Sequence, residues 1–153
     1  MAVSEPAGAA PPLFGLDTMV LIYHFESHEE LGPPATELLR AAEEGRCRLV
    51  LSILAVLEVL VVPKRHGRED LCRRYREFFA SFPNLEVVPV DTAIAEVASD
   101  LRAEDGLRTP DAIHLATAVG RGVDGFVTED DRLPSEALGV SVRSVRWALS
   151  ALH

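Results

Sequence analysis

Short, uninterrupted apolar runs alternate along this chain with longer segments of helical spacing, and this alternation is the feature that most constrains its fold. A strand in which every residue is apolar has both faces covered, as in a parallel sheet between two layers of helices. We therefore predict an α/β fold, a three-layer α/β/α sandwich with a short parallel sheet of four to five strands. The predicted strands, the last of them at the edge, are residues 13–16, 48–52, 85–90, 125–127 and 140–145.

Capping and helix-breaking residues mark the ends of the segments between these strands. Asp91 and Thr109 are candidate N-caps, with Pro110 in the first helical position. Pro63 and Gly106 are expected to end their helices. The predicted helices span residues 19–25, 33–44, 53–62, 67–82, 92–104 and 109–120.

The chain of 153 residues suits one domain with one core. It has no internal repeat or second boundary, and we predict a single domain over residues 13–153. The Ala-, Pro- and Gly-rich residues 1–12 are expected to be a disordered extension, and they lack the basic and apolar regions of a signal peptide. The longest apolar stretch is shorter than the about 20 residues of a membrane span. Cys47 and Cys72 lack metal-site spacing, so we expect reduced thiols in a cytoplasmic protein.

Four acidic residues follow predicted strands or lie on helices close to them. Asp17 follows the first strand directly, and Asp130 comes shortly after the fourth. Asp111 lies in the first turn of its helix, and Glu58 stands alone within the apolar segment ILAVLEVLVV. Ligands of such folds bind beyond the carboxyl ends of the strands. The sequence therefore predicts that these carboxylates lie near one edge of the sheet.

Each of these acids also has a purely structural explanation. Asp17 suits a helix cap, Asp111 the helix dipole and Asp130 a turn. Glu58 is different, because a lone carboxylate among apolar neighbours is costly to bury without a partner. Its structural alternatives are an exposed polar stripe or an ion pair with an arginine, but its neighbours at helical spacing are apolar, which favours a functional role.

Converging carboxylates repel each other unless they are protonated or bridged by cations. Oxygen ligands of this kind suit Mg²⁺ or Mn²⁺, which hold and polarise phosphates. The chain contains no GxSxG, P-loop or GxGxxG motif, which argues against serine, Walker-type and dinucleotide-binding chemistry. The pattern favours metal-dependent phosphodiester hydrolysis.

Four segments resemble, in order and spacing, the motifs of a known family. They read LDTMVLIY at residues 16–23, SILAVLEVLVVP at 52–63, LRAEDGLRTPDAIHLATA at 101–118 and FVTEDDRL at 126–133. Over about residues 13–145 the chain resembles PIN-domain proteins, most closely the VapC-type ribonuclease toxins of bacterial and archaeal toxin–antitoxin pairs. The resemblance implies endonucleolytic cleavage of RNA by a metal-activated water, an antitoxin partner and a homodimer. It implies that the Mg²⁺- or Mn²⁺-binding and catalytic acids are Asp17, Glu58, Asp111 and Asp130, supported by Thr18, Thr128 and Glu129.

The chain departs from the family pattern at two positions. Ala55 stands where many relatives carry Thr or Ser, which removes a candidate hydrogen bond to the helix acid. Glu129 stands where many relatives carry Asn and adds negative charge, and it competes with Asp130 as the closing metal ligand. His114, one helical turn from Asp111, is expected to pack or to support a ligand. The number of metal ions is left open.

The net charge of −9 excludes binding of nucleic acid through bulk positive charge. Residues 64–76 nevertheless hold six Lys and Arg against two acids, a local charge of +4. They are either one flank of an RNA groove or a solvated helix face. The candidate substrate-binding residues are Lys64, Arg65, Arg68, Arg73, Arg74 and Arg76.

Three other functions compete with the metal-dependent ribonuclease. A PIN-like module that binds RNA or protein with little nuclease activity is opposed by the presence of all four acids. A phosphoryl-accepting signalling domain needs a lysine late in the chain, and Lys64 is the only lysine. A purely structural homodimer would leave Glu58 unexplained.

Overall fold

The computed structural model describes residues 10–153, and the first nine residues of the predicted extension lie outside that range. The strands are β1 (Leu13–Leu16), β2 (Arg48–Ser52), β3 (Leu85–Val88), β4 (Gly125–Val127), β5 (Glu136–Ala137) and β6 (Val140–Arg143). The helices are α1 (Thr18–Phe25), α2 (Gly32–Glu43), α3 (Leu54–Arg65), α4 (Glu69–Ser81), α5 (Thr92–Asp105), α6 (Thr109–Gly120) and α7 (Val145–Ser150). No helix in the described range is long and apolar enough to cross a membrane.

The strands form one sheet in the order β3-β2-β1-β4-β6-β5. Every neighbouring pair is parallel except β5 and β6, which are antiparallel. The prediction of a three-layer fold around a mostly parallel sheet is confirmed. The sheet has six strands rather than four or five, because β5 pairs outside β6. A strand of two residues has no periodic pattern, and Leu138 and Gly139 join it to β6 with φ of 48° and 81°, which suits a tight hairpin turn.

Two cores lie on the two faces of this sheet. Phe14 and Leu16 of β1 point into the first core, which they share with α1, α2 and α7. Val50 of β2 and Phe126 of β4 point into the second core, beneath α5 and α6. Helices thus cover both faces of the central strands, as their uninterrupted apolar character predicts.

Gly15 allows α6 to lie directly on β1. A Cβ atom at Gly15 would be 2.8 Å from the Cβ of Ala118 and 3.1 Å from the ring of Phe126, closer than non-bonded carbons pack. Because α6 begins at the carboxyl edge of the sheet and packs on β1 through Ala118, its first turns lie beside the end of β1.

Several helix ends differ from the prediction. The helix predicted to end before Pro63 continues to Arg65, and Pro63 is buried within it. The N-cap of α6 is Arg108 rather than Thr109, so Pro110 is the second residue of the helix. The prediction of Asp91 as the N-cap of α5 is confirmed, because its Oδ1 accepts a hydrogen bond from Ile94 N at 2.9 Å.

The segment predicted as a strand over residues 140–145 divides into two elements. Strand β6 ends at Arg143, and Val145 begins α7 instead of ending the strand. The Ser144 hydroxyl accepts a hydrogen bond from Trp147 N at 3.2 Å and caps the helix. Val and polar residues alternate from Val140 to Arg143, and Ser144 and Val145 prolong this strand-like pattern, which conceals the helix start.

Both termini of the predicted single domain are attached to the fold within the described range. Pro11 and Pro12 belong to the predicted extension, and their carbonyl oxygens accept hydrogen bonds from the side chain and backbone of Arg48.

Cys47 and Cys72 are buried and free of disulfides. Burial raises the pKa of the Cys47 thiol to about 11, which keeps that thiol protonated and unreactive.

Candidate metal centre

The carboxyl ends of β1 and β4 bring Asp17 and Thr128 together. Asp17 N donates a hydrogen bond to Val127 O at 3.0 Å, and Thr128 N donates to Arg143 O at 2.9 Å. The Thr128 hydroxyl donates to Asp17 Oδ2 at 2.8 Å and accepts from Asp130 N at 3.0 Å. One threonine therefore connects the carboxylate at the end of β1 to the loop that carries Asp130.

Asp17 is not a conventional helix cap. It is the N-cap residue of α1, yet its side chain makes no capping hydrogen bond. Burial raises the pKa of this carboxyl above 3.8, the Thr128 hydroxyl and the nearby His114 oppose the rise, and Asp111 adds a small part to it. Within residues 10–153, no Lys or Arg forms an ion pair with Asp17. A desolvated carboxylate with this environment is suited to a cation that the chain does not itself supply.

Glu58 obtains its partners from two distant segments. Its Oε1 accepts a hydrogen bond from the Thr18 hydroxyl at 3.0 Å and lies 2.6 Å from His114 Nε2. Burial alone would raise the pKa of Glu58, but the hydrogen bonds and the nearby imidazole outweigh it and lower the pKa below 4.5. Ala55 is fully buried on the same helix and offers Glu58 no hydroxyl, so the hydroxyl that Glu58 accepts from is that of Thr18.

The His114 ring has one satisfied nitrogen and one unsatisfied nitrogen. Nε2 faces Glu58 Oε1 and lies 3.2 Å from the Thr18 hydroxyl, whereas the buried Nδ1 has no hydrogen-bond partner in the described range. A proton on Nδ1 would bury an unpaired donor. We therefore assign the proton to Nε2, where it is donated to the carboxylate of Glu58.

Two arginines bind the remaining predicted acids. Arg108 Nε lies 3.1 Å from Asp111 Oδ2. Arg132 holds Asp130 in a fork, with Nε 2.9 Å from Oδ1 and Nη2 2.8 Å from Oδ2. The hydrogen bonds from Arg132 lower the pKa of Asp130 to about 2, so this carboxylate is ionised at any physiological pH.

Glu129 has a separate structural task. Its Oε1 accepts a hydrogen bond from Val145 N at 2.9 Å, the first amide of α7. A carboxylate at this position also complements the positive end of a helix dipole. Glu129 is thereby oriented towards α7 through one oxygen, whereas Arg132 holds both oxygens of Asp130, and the identity of the closing ligand stays a prediction.

The predicted acids are only partly brought together. Asp17 and Asp111 are close enough for one charge to raise the pKa of the other, and Glu58 joins the group through His114. Within residues 10–153, however, no three His, Cys, Asp or Glu side chains form a group that could hold a metal ion in this conformation. Like charges separate when no cation bridges them, and here Arg108 and Arg132 bind two of them. The four-carboxylate metal site stays a prediction.

The predicted substrate residues are all exposed on α3, α4 and the turn between them. Arg68 pairs with Asp70 at 2.8 Å, and Arg76 pairs with Glu69 at 2.7 Å. The other four, which form no ion pair within the described range, are Lys64, Arg65, Arg73 and Arg74.

A groove of about 300 Å³ between α1, α3 and α4 brings one end of the basic segment beside one of the predicted acids. Glu58 and Arg68 both line it, together with the apolar and aromatic residues Phe25, Val62 and Tyr75. The basic segment is therefore adjacent to the helix acid, as an RNA path would require.

Two residues at this site have a larger role than the sequence pattern indicates. His114 is not one of them, because its contact with Glu58 agrees with the expectation that it packs or supports a ligand. Arg108 and Arg132 belong to none of the predicted sets, although each lies within three residues of the acid that it binds. That short separation is the signal that could have indicated them.

Comparisons with known proteins agree with this architecture. A family model described as PIN domain matches residues 15–137. A toxin–antitoxin complex from Klebsiella pneumoniae contains a chain that is 27% identical, with 86% of this chain and 96% of that chain covered and a TM-score of 0.65. A comparison with curated proteins by sequence gives no match.

Two further solved structures are similar in fold alone. VapBC2 from Rickettsia felis, bound to a DNA fragment from their promoter, is 16% identical, with coverage of 86% and 98% and a TM-score of 0.66. VapC20 from Mycobacterium tuberculosis, a Sarcin-Ricin loop cleaving toxin, is 14% identical, with coverage of 84% and 98% and a TM-score of 0.64.

Proposed function

The chain belongs to the PIN domain family, and from that premise we propose that it is a metal-dependent endoribonuclease that hydrolyses RNA phosphodiester bonds. We propose that its biological role is that of the toxin in a toxin–antitoxin pair, and its similarity to a chain of such a complex supports this role. We further propose a cytoplasmic location, an antitoxin partner and a homodimer. The cleaving toxin among its neighbours in fold supports RNA as the substrate class.

One observation carries this proposal. Asp17 is desolvated, accepts a hydrogen bond from the Thr128 hydroxyl and forms no ion pair with Lys or Arg within the described range, so its environment suits an external cation. Asp111 lies near it, and the donor atoms available are carboxylate oxygens, which suit Mg²⁺ or Mn²⁺. The residues that would hold the ion are Asp17, Glu58, Asp111 and Asp130.

The chain's own residues prepare these carboxylates for binding. Thr128 fixes the position of Asp17 through one hydrogen bond and that of the loop bearing Asp130 through another. His114 and Thr18 keep Glu58 ionised and oriented. A divalent ion at this place would hold and polarise a phosphate and lower the pKa of an attacking water.

Cleavage of total RNA by the purified protein tests the proposal. We expect cleavage with Mg²⁺ or Mn²⁺ that is lost in EDTA and lost in an Asp17→Asn/Asp111→Asn double variant. An Asp100→Asn variant, changed at an exposed acid of α5, is the matched control and should cleave like the parent protein. Cleavage that persists in EDTA, or in the folded double variant, would contradict the proposal.

A PIN-like binding module without nuclease activity is the second candidate function. It is favoured by the ion pairs that Arg108 and Arg132 form with Asp111 and Asp130, because in this conformation arginines occupy two of the carboxylates in place of a metal. RNA binding that is independent of Mn²⁺, together with no cleavage, would support this candidate over the first.

A further inference from the structure

Two exposed guanidinium groups lie at the edge of the acidic site. The Arg108 and Arg132 side chains are 64% and 69% exposed, whereas their partners Asp111 and Asp130 are only 14% and 20% exposed. The carboxylates are held within the site, and the cations reach them from solvent. Because the guanidinium groups stay in contact with water, each arginine can leave its carboxylate when another cation takes its place.

The two pairs are electrostatically connected. Arg108 lowers the pKa of Asp130 and of Glu58, and Asp111 raises the pKa of Arg132. Each arginine therefore interacts with acids beyond its bonded partner. Together the two arginines neutralise the carboxylate charges of Asp111 and Asp130, which a divalent cation would otherwise neutralise.

A bound divalent cation and these arginines would compete for the same carboxylate oxygens. A cation that takes the carboxylates releases two guanidinium groups beside it. The planar fork of a guanidinium matches two oxygens of a phosphate as well as it matches a carboxylate. The released groups would then face the phosphate that the cation holds.

We propose that Arg108 and Arg132 are substrate-positioning residues that occupy Asp111 and Asp130 before the metal binds and transfer to the RNA phosphates when it binds. This inference rests on the proposed ribonuclease function. It makes the two arginines competitors of the metal and partners of the RNA. Removing an arginine should therefore strengthen metal binding and weaken RNA binding.

The experiment measures two affinities in Arg108→Gln and Arg132→Gln variants. Mn²⁺ binding is followed by electron paramagnetic resonance without RNA. Binding of a short, mixed-sequence, 2′-O-methyl single-stranded RNA is followed by fluorescence anisotropy in Mn²⁺. Arg121→Gln is the matched control, because Arg121 forms an exposed ion pair with Glu86 at 2.6 Å, at the start of the strands and away from the site.

We expect Arg132→Gln and Arg108→Gln to bind Mn²⁺ several-fold more tightly, because a competing cation is gone. The same variants should bind the RNA about tenfold more weakly, since a charge-assisted hydrogen bond to phosphate is removed. Arg132→Lys should keep part of the RNA affinity, and Arg121→Gln should change neither quantity. A purely structural ion pair would not tighten Mn²⁺ binding.

The inference would be overturned if both variants bound Mn²⁺ no more tightly than the parent protein. It would also be overturned if their RNA affinity were unchanged, or if the parent protein bound no Mn²⁺. If the parent protein cleaves RNA while the variants show no change in Mn²⁺ affinity, the inference fails and the proposed function stands. If the parent protein binds Mn²⁺ but cleaves no RNA, the proposed function fails. The role of the arginines is then still decided by whether the variants bind Mn²⁺ more tightly and RNA more weakly.

Discussion

Glu58 of α3 and His114 of α6 are 56 residues apart in the chain, and their side chains meet with 2.6 Å between Oε1 and Nε2. The imidazole is buried while the carboxylate is about one-third exposed. The contact therefore joins two helices from opposite faces of the sheet at the point where the acids collect. It gives the only acid of α3 a fixed direction.

Removing the imidazole should destabilise the protein. His114→Ala leaves Glu58 with only the Thr18 hydroxyl and opens a cavity in the second core, and we expect a loss of about 1–3 kcal/mol in the free energy of unfolding. His114→Gln keeps an N–H donor near the position of Nε2 and should lose less. Urea denaturation of both variants checks the prediction, and equal losses would show that packing rather than the hydrogen bond dominates.

The lowered pKa of Glu58 predicts how stability depends on pH. Because its pKa in the folded protein lies below the unfolded value of 4.5, its contribution is fully present above that pH and is lost as the pH falls through the folded pKa. Glu58→Gln should remove this part of the acid destabilisation. Urea denaturation of both proteins between neutral pH and about pH 3 measures it, and parallel curves would contradict the prediction.

The raised pKa of Asp17 predicts the opposite dependence of stability on pH. Burial raises its pKa above 3.8, so its contribution is most favourable below that pH and is lost as the pH rises through the folded pKa. At neutral pH the ionised carboxylate is a cost to the metal-free protein. Asp17→Asn should raise the stability of the metal-free protein by about 0.5–2 kcal/mol while it abolishes cleavage. Thermal denaturation in EDTA, with Asp100→Asn as control, should show a higher midpoint for Asp17→Asn alone.

Glu129 and Asp130 should separate into a structural and a metal-binding residue. Glu129→Ala removes the acceptor of Val145 N and should cost about 0.5–2 kcal/mol, as for removal of a helix cap, whereas Glu129→Gln should cost less. Asp130→Asn should weaken Mn²⁺ binding, and Glu129→Gln should not. Calorimetric titration with Mn²⁺ decides the assignment, and the reverse order of affinities would make Glu129 the closing ligand.

The free arginines of α4 should bind RNA phosphates. Arg73 and Arg74 are exposed and form no ion pair within the described range, so Arg73→Ala/Arg74→Ala should reduce the slope of log affinity against log salt by about 0.7 for each phosphate that is no longer bound. An Arg46→Ala/Arg121→Ala protein removes the same charge far from the carboxyl edge. If the slope changed equally in both proteins, the effect would come from the lost net charge, and the prediction that α4 binds RNA phosphates would be wrong.

The sequence allowed the fold and the positions of the acids to be predicted where the signal was local. The apolar run of β1 ends at Asp17, and the lone Glu58 interrupts an apolar helix, so each could be placed from its neighbours alone. Strand β5 has two residues, and α7 is a short helix that follows β6 after one residue, so neither has a pattern of its own.

The interactions between the side chains of the site could not be predicted in the same way. Nothing near Glu58 in the chain indicates that His114 is its partner, and the capping role of Glu129 depends on where α7 begins. The arginine pairs depend on a charge balance among acids from separate segments. Such relationships follow from the tertiary fold, which no local pattern contains.

The close approach of Gly15 and Ala118 has a consequence for how this protein can diverge. Neither residue has a functional group, yet their small size sets how near α6 lies to β1, and α6 carries Asp111 and His114 while β1 leads into Asp17. A single added methyl group at Gly15 would move the two sets of functional residues apart. Selection on the chemistry of the site must therefore also act on two positions that take no part in it, and a lineage that loses the glycine should lose its activity before it loses its fold.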